Sequence, residues 1–266
     1  MRTIKGYLDE WRVQEYLLLT FFISWLSWGI LILLTAFKVA EFTSPIGIIL
    51  FGIGGFGPTI SAIMCLEGKI TFKKVINFIF DHKKKTFHYF LLFAILEIMC
   101  IGLSSLEVNP AIPWFSLPAV LLVCTFIGGG NEELGWRGTL QPVMERIMSK
   151  KLKSRSLSFI LATLLVGLIW ALWHLPLWFV AGSGQQGMNF GQFALTAVLL
   201  SFWLACVYRR THSVFYCMLL HGLANLAMSF FIVKINWALI LGYTFMTALA
   251  IILASNSTPA QKDERN

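Results

Sequence analysis

Hydrophobic positions in this chain fall in long unbroken runs, with neither the two-residue alternation of strands nor the narrow stripes of soluble helices. Eight runs stand out, at 16–37, 45–66, 86–106, 113–136, 156–180, 190–208, 213–233 and 237–253. A bilayer core of about 30 Å takes about 20 residues of helix to cross, so each run predicts one membrane span. Backbone groups in hydrocarbon must be satisfied within the segment, which makes the spans helices. A transmembrane β-barrel would show segments of about ten alternating residues instead. The first run follows fifteen mostly polar residues, is too long for a signal-peptide core and lacks a small-residue cleavage site after it, so it reads as a span. The expected fold class is all-α, a polytopic membrane helix bundle of about eight transmembrane helices.

Composition narrows the classes. Hydrophobic residues make up 57% of the 266 positions and charged residues 13%, with 23 Phe and 10 Trp. Soluble domains carry about a quarter charged residues. A cytosolic enzyme, a disordered chain and a disulfide scaffold are excluded. The five cysteines (Cys65, Cys100, Cys124, Cys206, Cys217) all sit in apolar runs with no CxxC pair, as buried small hydrophobes do. Net charge is +8, but no basic face with interleaved aromatics emerges, and nucleic acid is not an expected partner.

The charges order the spans. With eight crossings, 19 of the 21 Lys and Arg fall on one side, and only Lys38 and Lys234 on the other. Seven or nine crossings would scramble that partition. The positive-inside rule therefore puts both termini, the 67–85 loop and the 137–155 loop in the cytoplasm, as in a multi-pass bacterial plasma-membrane protein. The expected organisation is a cytoplasmic segment 1–15, a membrane domain 16–253 and a short polar tail 254–266. No internal repeat or separate soluble domain is present.

Ionisable residues inside spans are costly and point to function. Glu97 lies in the third run; Glu132, Glu133 and Arg137 lie near the end of the fourth; His174 is in the fifth; His221 and Asn225 are in the seventh. His82, His88 and His212 sit in a loop or near span ends and read as solvated. On a helix Glu133 and Arg137 are about 40° apart and suit an ion pair, while Glu132 points about 140° away from Arg137. Gly128-Gly129-Gly130 just before them permits close helix approach or a local break. Trp170 and His174 share a face, as do His221 and Asn225, both of which can donate hydrogen bonds toward one point. Each constellation alone also suits a bland role: headgroup capping for the acids, packing for His174, a helix–helix clamp for His221 and Asn225. Glu97 has no reading beyond a buried polar contact.

Together the constellations describe a water-activating hydrolase, with a carboxylate base, two imidazoles and a carboxamide for a developing oxyanion. Zinc held by Glu132, His174 and His221 is the alternative. The usual zincin HExxH is absent, no Gly-x-Gly-Asp occurs, and Gly182-Ser183-Gly184 lies in an outward loop without a histidine partner. A transporter or channel with a mid-membrane polar relay is a competing class, which the lack of a repeat and the confinement of the polar groups to three helices disfavour.

The ordered series Glu132-Glu133-xxx-Arg137, Trp170-xxx-His174 and His221-xxx-Asn225 resembles the CPBP family. This group comprises type II CAAX prenyl endopeptidases and the bacteriocin-processing or self-immunity (Abi) proteins, and the resemblance covers about 115–230. The family often has Phe where Trp170 stands. The resemblance implies an intramembrane endopeptidase with a conical cavity open to the cytoplasm and bilayer, acting on a peptide or lipidated-protein substrate. Glu132 would activate water with help from His174. His221 and Asn225 would stabilise the oxyanion, and Glu133 and Arg137 would support them. Glutamate-dependent and metal-dependent chemistry both remain open, with no tightly bound metal preferred. A non-catalytic immunity protein on the same scaffold is a further alternative. One feature resists straight, level helices: His174 lies about 28 Å along its helix from Arg155, but His221 only about 13 Å from His212.

Overall fold

The computed structural model describes residues 12–65, 71–81 and 86–256. His82, the Lys83-Lys84-Lys85 run, most of the 1–15 segment and most of the 254–266 tail lie outside the described residues. Among the described residues, regular structure is helical apart from one isolated bridge between Val108 and Phe231. The helices are α1 (Val13–Ala36), α2 (Pro45–Gly55), α3 (Gly57–Cys65), α4 (Phe72–Phe80), α5 (Phe87–Ser104), α6 (Leu117–Phe126), the single turn α7 (Glu133–Gly135), α8 (Gln141–Lys151), α9 (Arg155–Trp173), α10 (Phe190–Thr211), α11 (Val214–Phe230) and α12 (Trp237–Ser255).

Among the described residues, six helical segments are long and apolar enough to cross a membrane: α1, α5, the broken run Trp114–Lys151, the run Arg155–Phe179, α10 and α12. The pair α2 and α3, bent by 44°, makes a seventh, and α11, with 17 residues, is a shorter apolar helix. These match the eight hydrophobic runs in order. The protein is a multi-pass membrane helix bundle.

Two expected loops are not loops. The 67–85 segment contains α4, and 137–155 is largely helical, with a π-turn at Trp136–Leu140 leading into α8. Neither holds about 20 consecutive apolar residues, so a hydropathy reading passes over them. Helical structure therefore continues well past Glu132, Glu133 and Arg137, which lie inside a broken helix and not near the end of a span.

Chain punctuation follows capping chemistry. The side chains of Ser44, Thr71, Ser154, Asn189, Ser213 and Asn236 each accept a hydrogen bond from a backbone N–H in the first turn of the helix they precede. His212, left-handed at φ 56°, ends α10 and turns the chain directly into α11.

Helix α10 is the hub, packed on α9, α11, α12 and α5, and buried almost continuously from Leu200 to Arg209. Lipid tails are as apolar as leucine, so association rests on close packing of small residues and on interhelical hydrogen bonds. On α1, Ser24 donates to the Gly54 carbonyl at 2.7 Å, Ser27 to Leu50 at 2.8 Å and the Trp28 indole to Phe51 at 3.1 Å. Gly167 lets α9 lie against Ser201 and Val198 of α10, and Gly222 lets α11 lie against the Thr125 backbone of α6. Leu18, Phe22, Leu33, Leu103 and Phe245 point outward, as lipid-facing residues should.

Glu145 of α8 pairs with Arg209 at 3.0 Å, and the Arg209 guanidinium lies 5.4 Å from the Phe159 ring of α9, which ties the α8–α9 hairpin to the last turn of α10.

A Cβ at Gly222 would meet the Thr125 Cα and N at 2.8 Å, closer than real contacts allow. Gly222→Ala is expected to push α11 from α6 and cost about 1–3 kcal/mol. A lowered thermal midpoint of the detergent-solubilised protein measures this; an unchanged midpoint would show that α6 yields freely.

Candidate active site

The site begins at the break between α6 and α7. Gly129 adopts φ 125°, a conformation only glycine takes readily, and a Cβ there would run into the Asn225 amide and His221 Nε2. Asn131 pins the break. Its Oδ1 accepts from the Gly129 N–H at 3.0 Å, its Nδ2 donates to the Gly55 carbonyl at 3.0 Å, and its own carbonyl accepts from Thr59 Oγ1 at 2.5 Å. The sequence reading did not single out Asn131, which joins the break to the bend between α2 and α3.

A 3-10 turn at Gly130–Glu132 then delivers two adjacent acids into the bundle. Both are buried, and they have different partners. Glu133 Oε1 accepts from Arg137 at 3.0 Å and from His221 Nδ1 at 2.8 Å. Arg137 is wholly buried, with its Cζ 4.6 Å from the centre of the Trp170 ring. Glu132 instead presents Oε2 to two indole N–H donors, Trp170 at 2.7 Å and Trp136 at 3.3 Å. Its Oε1 lies 4.0 Å from His174 Nε2.

The imidazoles are oriented by their other nitrogens. His174 Nδ1 donates to the Trp170 carbonyl at 2.9 Å, which leaves the Nε2 lone pair toward Glu132. Trp28, Trp173 and Phe193 surround its ring. His221 stands edge-on to Trp170 at 5.1 Å, its Nδ1 on Glu133 and its Nε2 beside Gly129. Asn225 Nδ2 donates to the Gly128 carbonyl at 2.7 Å, which leaves one amide hydrogen unassigned.

Glu132, His174, His221 and Asn225 all line one cavity of about 720 Å³. Glu133 and Arg137 lie behind its wall. The sequence reading had His221 and Asn225 donating toward one point. In the structure His221 Nε2 and Asn225 Nδ2 both come up beside Gly129, while His221 Nδ1 is engaged by Glu133 and one Asn225 amide hydrogen by the Gly128 carbonyl. The reading also gave Glu133 a single partner, where it has two. The indoles of Trp136 and Trp170 were missed as donors, although Trp136 stands four residues after Glu132, the same spacing that revealed Glu133 and Arg137. Glu97, on α5, is buried and its Oε2 meets no hydrogen-bond partner among the described residues; it is not part of this cavity.

Among the described residues, no three His, Cys, Asp or Glu side chains are arranged to hold a metal ion.

Removing one member of a buried ion pair costs about 3–5 kcal/mol. Glu133→Gln is expected to lower stability on that scale, because it leaves Arg137 uncompensated. Glu133→Gln combined with Arg137→Gln should recover part of the loss. Thermal unfolding of the two singles and the double measures it, and additive losses would mean the pair is not coupled.

Comparison with known proteins bears on the same segment. The family model described as type II CAAX prenyl endopeptidase Rce1-like matches residues 113–227. A protein named CAAX prenyl protease 2 from Methanococcus maripaludis is 33% identical over 144 residues, covering 50% of this chain and 47% of the relative. The chain thus spans about half the length of the curated relative it matches. Over 113–227, which holds every residue of the constellation from Gly128 to Asn225, this chain is similar to the Rce1-like type II CAAX prenyl endopeptidases.

Proposed function

We propose that the protein is a membrane endopeptidase that cleaves a membrane-associated polypeptide, lipidated or not, with water activated by Glu132 and His174. One observation carries this reading. Glu132 Oε2 is held by two indoles, while Oε1 faces the His174 Nε2 lone pair across 4.0 Å at the cavity wall. Both facing atoms are acceptors. An oxygen about 2.8 Å from each would subtend about 90°, close to what a water donating both hydrogens needs. Such a water keeps its lone pairs for attack.

The steps follow from the donors. Water oxygen bonds to the scissile carbonyl carbon while its proton passes to Glu132. The carbonyl oxygen becomes an oxyanion, met by the unassigned Asn225 amide hydrogen and by His221 Nε2–H. Glu133, accepting at Nδ1 of His221, suits a doubly protonated ring there, and Arg137 balances the second carboxylate. Collapse of the tetrahedral centre breaks the C–N bond, and Glu132 returns its proton to the leaving amine. Trp170 is a positioning residue, since it fixes Glu132 through its indole, His174 through its carbonyl and Arg137 through its ring face.

The test is cleavage of a reporter polypeptide by purified protein beside its thermal midpoint. Glu132→Gln keeps volume and loses the base, so turnover should fall about 10²–10⁴-fold with the fold retained. Asn225→Ala should cost about 10²–10³-fold with little change in KM. Normal cleavage by Glu132→Gln would refute the assignment. Because the reading uses protein groups alone, cleavage should also persist after prolonged incubation with a strong zinc chelator. Loss in chelator with recovery on added zinc would replace this mechanism with a metal-dependent one.

A further inference from the structure

The two ends of the bundle differ in charge, and the cavity reaches only one of them. One end gathers α4, the start of α5, the α8–α9 hairpin, the α10–α11 turn and the end of α12. Phe80 packs on Phe215, Phe87 on Tyr216 and Glu145 on Arg209, and the Arg210 guanidinium donates to the Leu253 carbonyl. This end carries Lys73, Lys74, Arg146, Lys150, Lys151, Lys153, Arg155, Arg209 and Arg210. The other end gathers the connections 37–44, 105–113, 174–189 and 231–236. There Ala181 N–H donates to Thr35 Oγ1 at 3.3 Å, Asn109 N–H to the Phe230 carbonyl at 2.7 Å and Asn236 Nδ2 to the Ser104 carbonyl at 2.9 Å, and Lys234 pairs with Glu107. Among the described residues its Lys and Arg are Lys38 and Lys234 alone, offset by Glu41 and Glu107.

The cavity mouth is at this second end. Its exposed lining comes from the α9–α10 connection and the first turn of α10, with Met188, Asn189 and Gln192, from the end of α11 and the α11–α12 connection, with Met228, Ser229 and Ile235, and along its flank from Ile127 at the inner end of α6. Inward, the lining becomes the buried Trp173, Glu132 and His221. Toward the basic end the path is filled. Trp136, Arg137, Leu140, Val143, Val214 and Cys217 are all fully buried between the site and the α8–α9 hairpin. The lining holds no Lys, Arg or Asp, and its polar groups apart from Glu132 and the two imidazoles are neutral, chiefly amides and hydroxyls.

Basic ends of membrane bundles face the cytoplasm. We propose that the cavity takes its substrate from the non-cytoplasmic side, as an uncharged apolar polypeptide segment presented at that membrane surface. This departs from the cytoplasmic opening that the family resemblance implies. The proposal deepens the endopeptidase reading and rests on it for the word substrate, but access can be measured without catalysis.

The experiment uses full-length protein carrying Cys124→Ala, because Cys124 is half-buried in the cavity lining, whereas Cys65, Cys100, Cys206 and Cys217 are buried. Gln192→Cys reports on the mouth and Lys153→Cys on the basic end. A charged, membrane-impermeant maleimide is applied to right-side-out and to inverted membrane vesicles. Gln192→Cys is expected to label in right-side-out vesicles and lose labelling in inverted ones, with Lys153→Cys behaving in the opposite way. Labelling of both positions from the same face would overturn the proposal, as would reversed sidedness, or a Gln192→Cys that reacts only after detergent. None of these outcomes depends on whether Glu132 hydrolyses anything, so failure of access and failure of the endopeptidase mechanism are separable.

Discussion

Two consecutive carboxylates buried in an apolar bundle impose the constraint from which the rest follows. Side by side in a low-dielectric interior, Glu132 and Glu133 would repel each other and pay a large desolvation cost unless each found its own partners. Neighbouring residues on a regular helix point about 100° apart, so one flank can be met locally and the other needs different elements. Glu133 takes Arg137 from its own segment and His221 from α11; Glu132 takes the indoles of Trp136 and, across the bundle, Trp170 of α9. Three separate elements are thereby tied to one dipeptide. The glycine break before it and the π-turn after it give the chain the irregular course those partners demand, which fits the general association of π-turns with functional sites.

Arg137 shows how closely this is balanced. Its Nε and one terminal nitrogen find no hydrogen-bond acceptor among the described residues, and its guanidinium lies over the Trp170 ring instead. A cation over an indole face gains more where water is excluded, so the aromatic replaces part of what solvent would give. The same indole donates to Glu132. Phenylalanine at this position would retain the ring face for Arg137 but drop the donor to Glu132, so the two duties of Trp170 are chemically separable.

The bundle was legible because its signal is thermodynamic and coarse. About 20 apolar residues in a row have few other solutions, and the eight runs reappear as helices in the same order. What escaped was short and amphipathic. Helix α4, Phe72–Phe80, and helix α8, Gln141–Lys151, mix lysines with apolar residues and look like loops to any window tuned for spans. Within the site, Glu133 and Arg137 were readable because four-residue spacing brings side chains together on almost any helical turn, including one passing into a π-turn. The pairing of His221 with Glu133 was not readable, because it joins residues 88 apart and depends on how α11 leans across the break. Asn131 escaped for a similar reason: its partners are the carbonyl of Gly55 and the hydroxyl of Thr59, on elements whose bend is itself a tertiary feature.

The break that builds the site also determines which way the site can be approached. Had α6 continued straight, one uniform helix would have crossed the bundle, with no place for two acids to diverge. Instead the chain stops at Ile127, turns through Gly129 and resumes as the buried run Leu134–Val143, which fills the bundle between the site and the basic end. Filling one end is what gives Arg137 a water-poor setting in which its pairing with Glu133 can carry weight. Leaving the other end hollow is what keeps Glu132 Oε1 and His174 Nε2 within reach of a ligand, since neither is capped by a neighbouring donor. Burial of the Glu133–Arg137 pair and access to Glu132 and His174 from the cavity are therefore two results of one local rearrangement of the backbone, and the direction of the hollow is set by where the chain breaks.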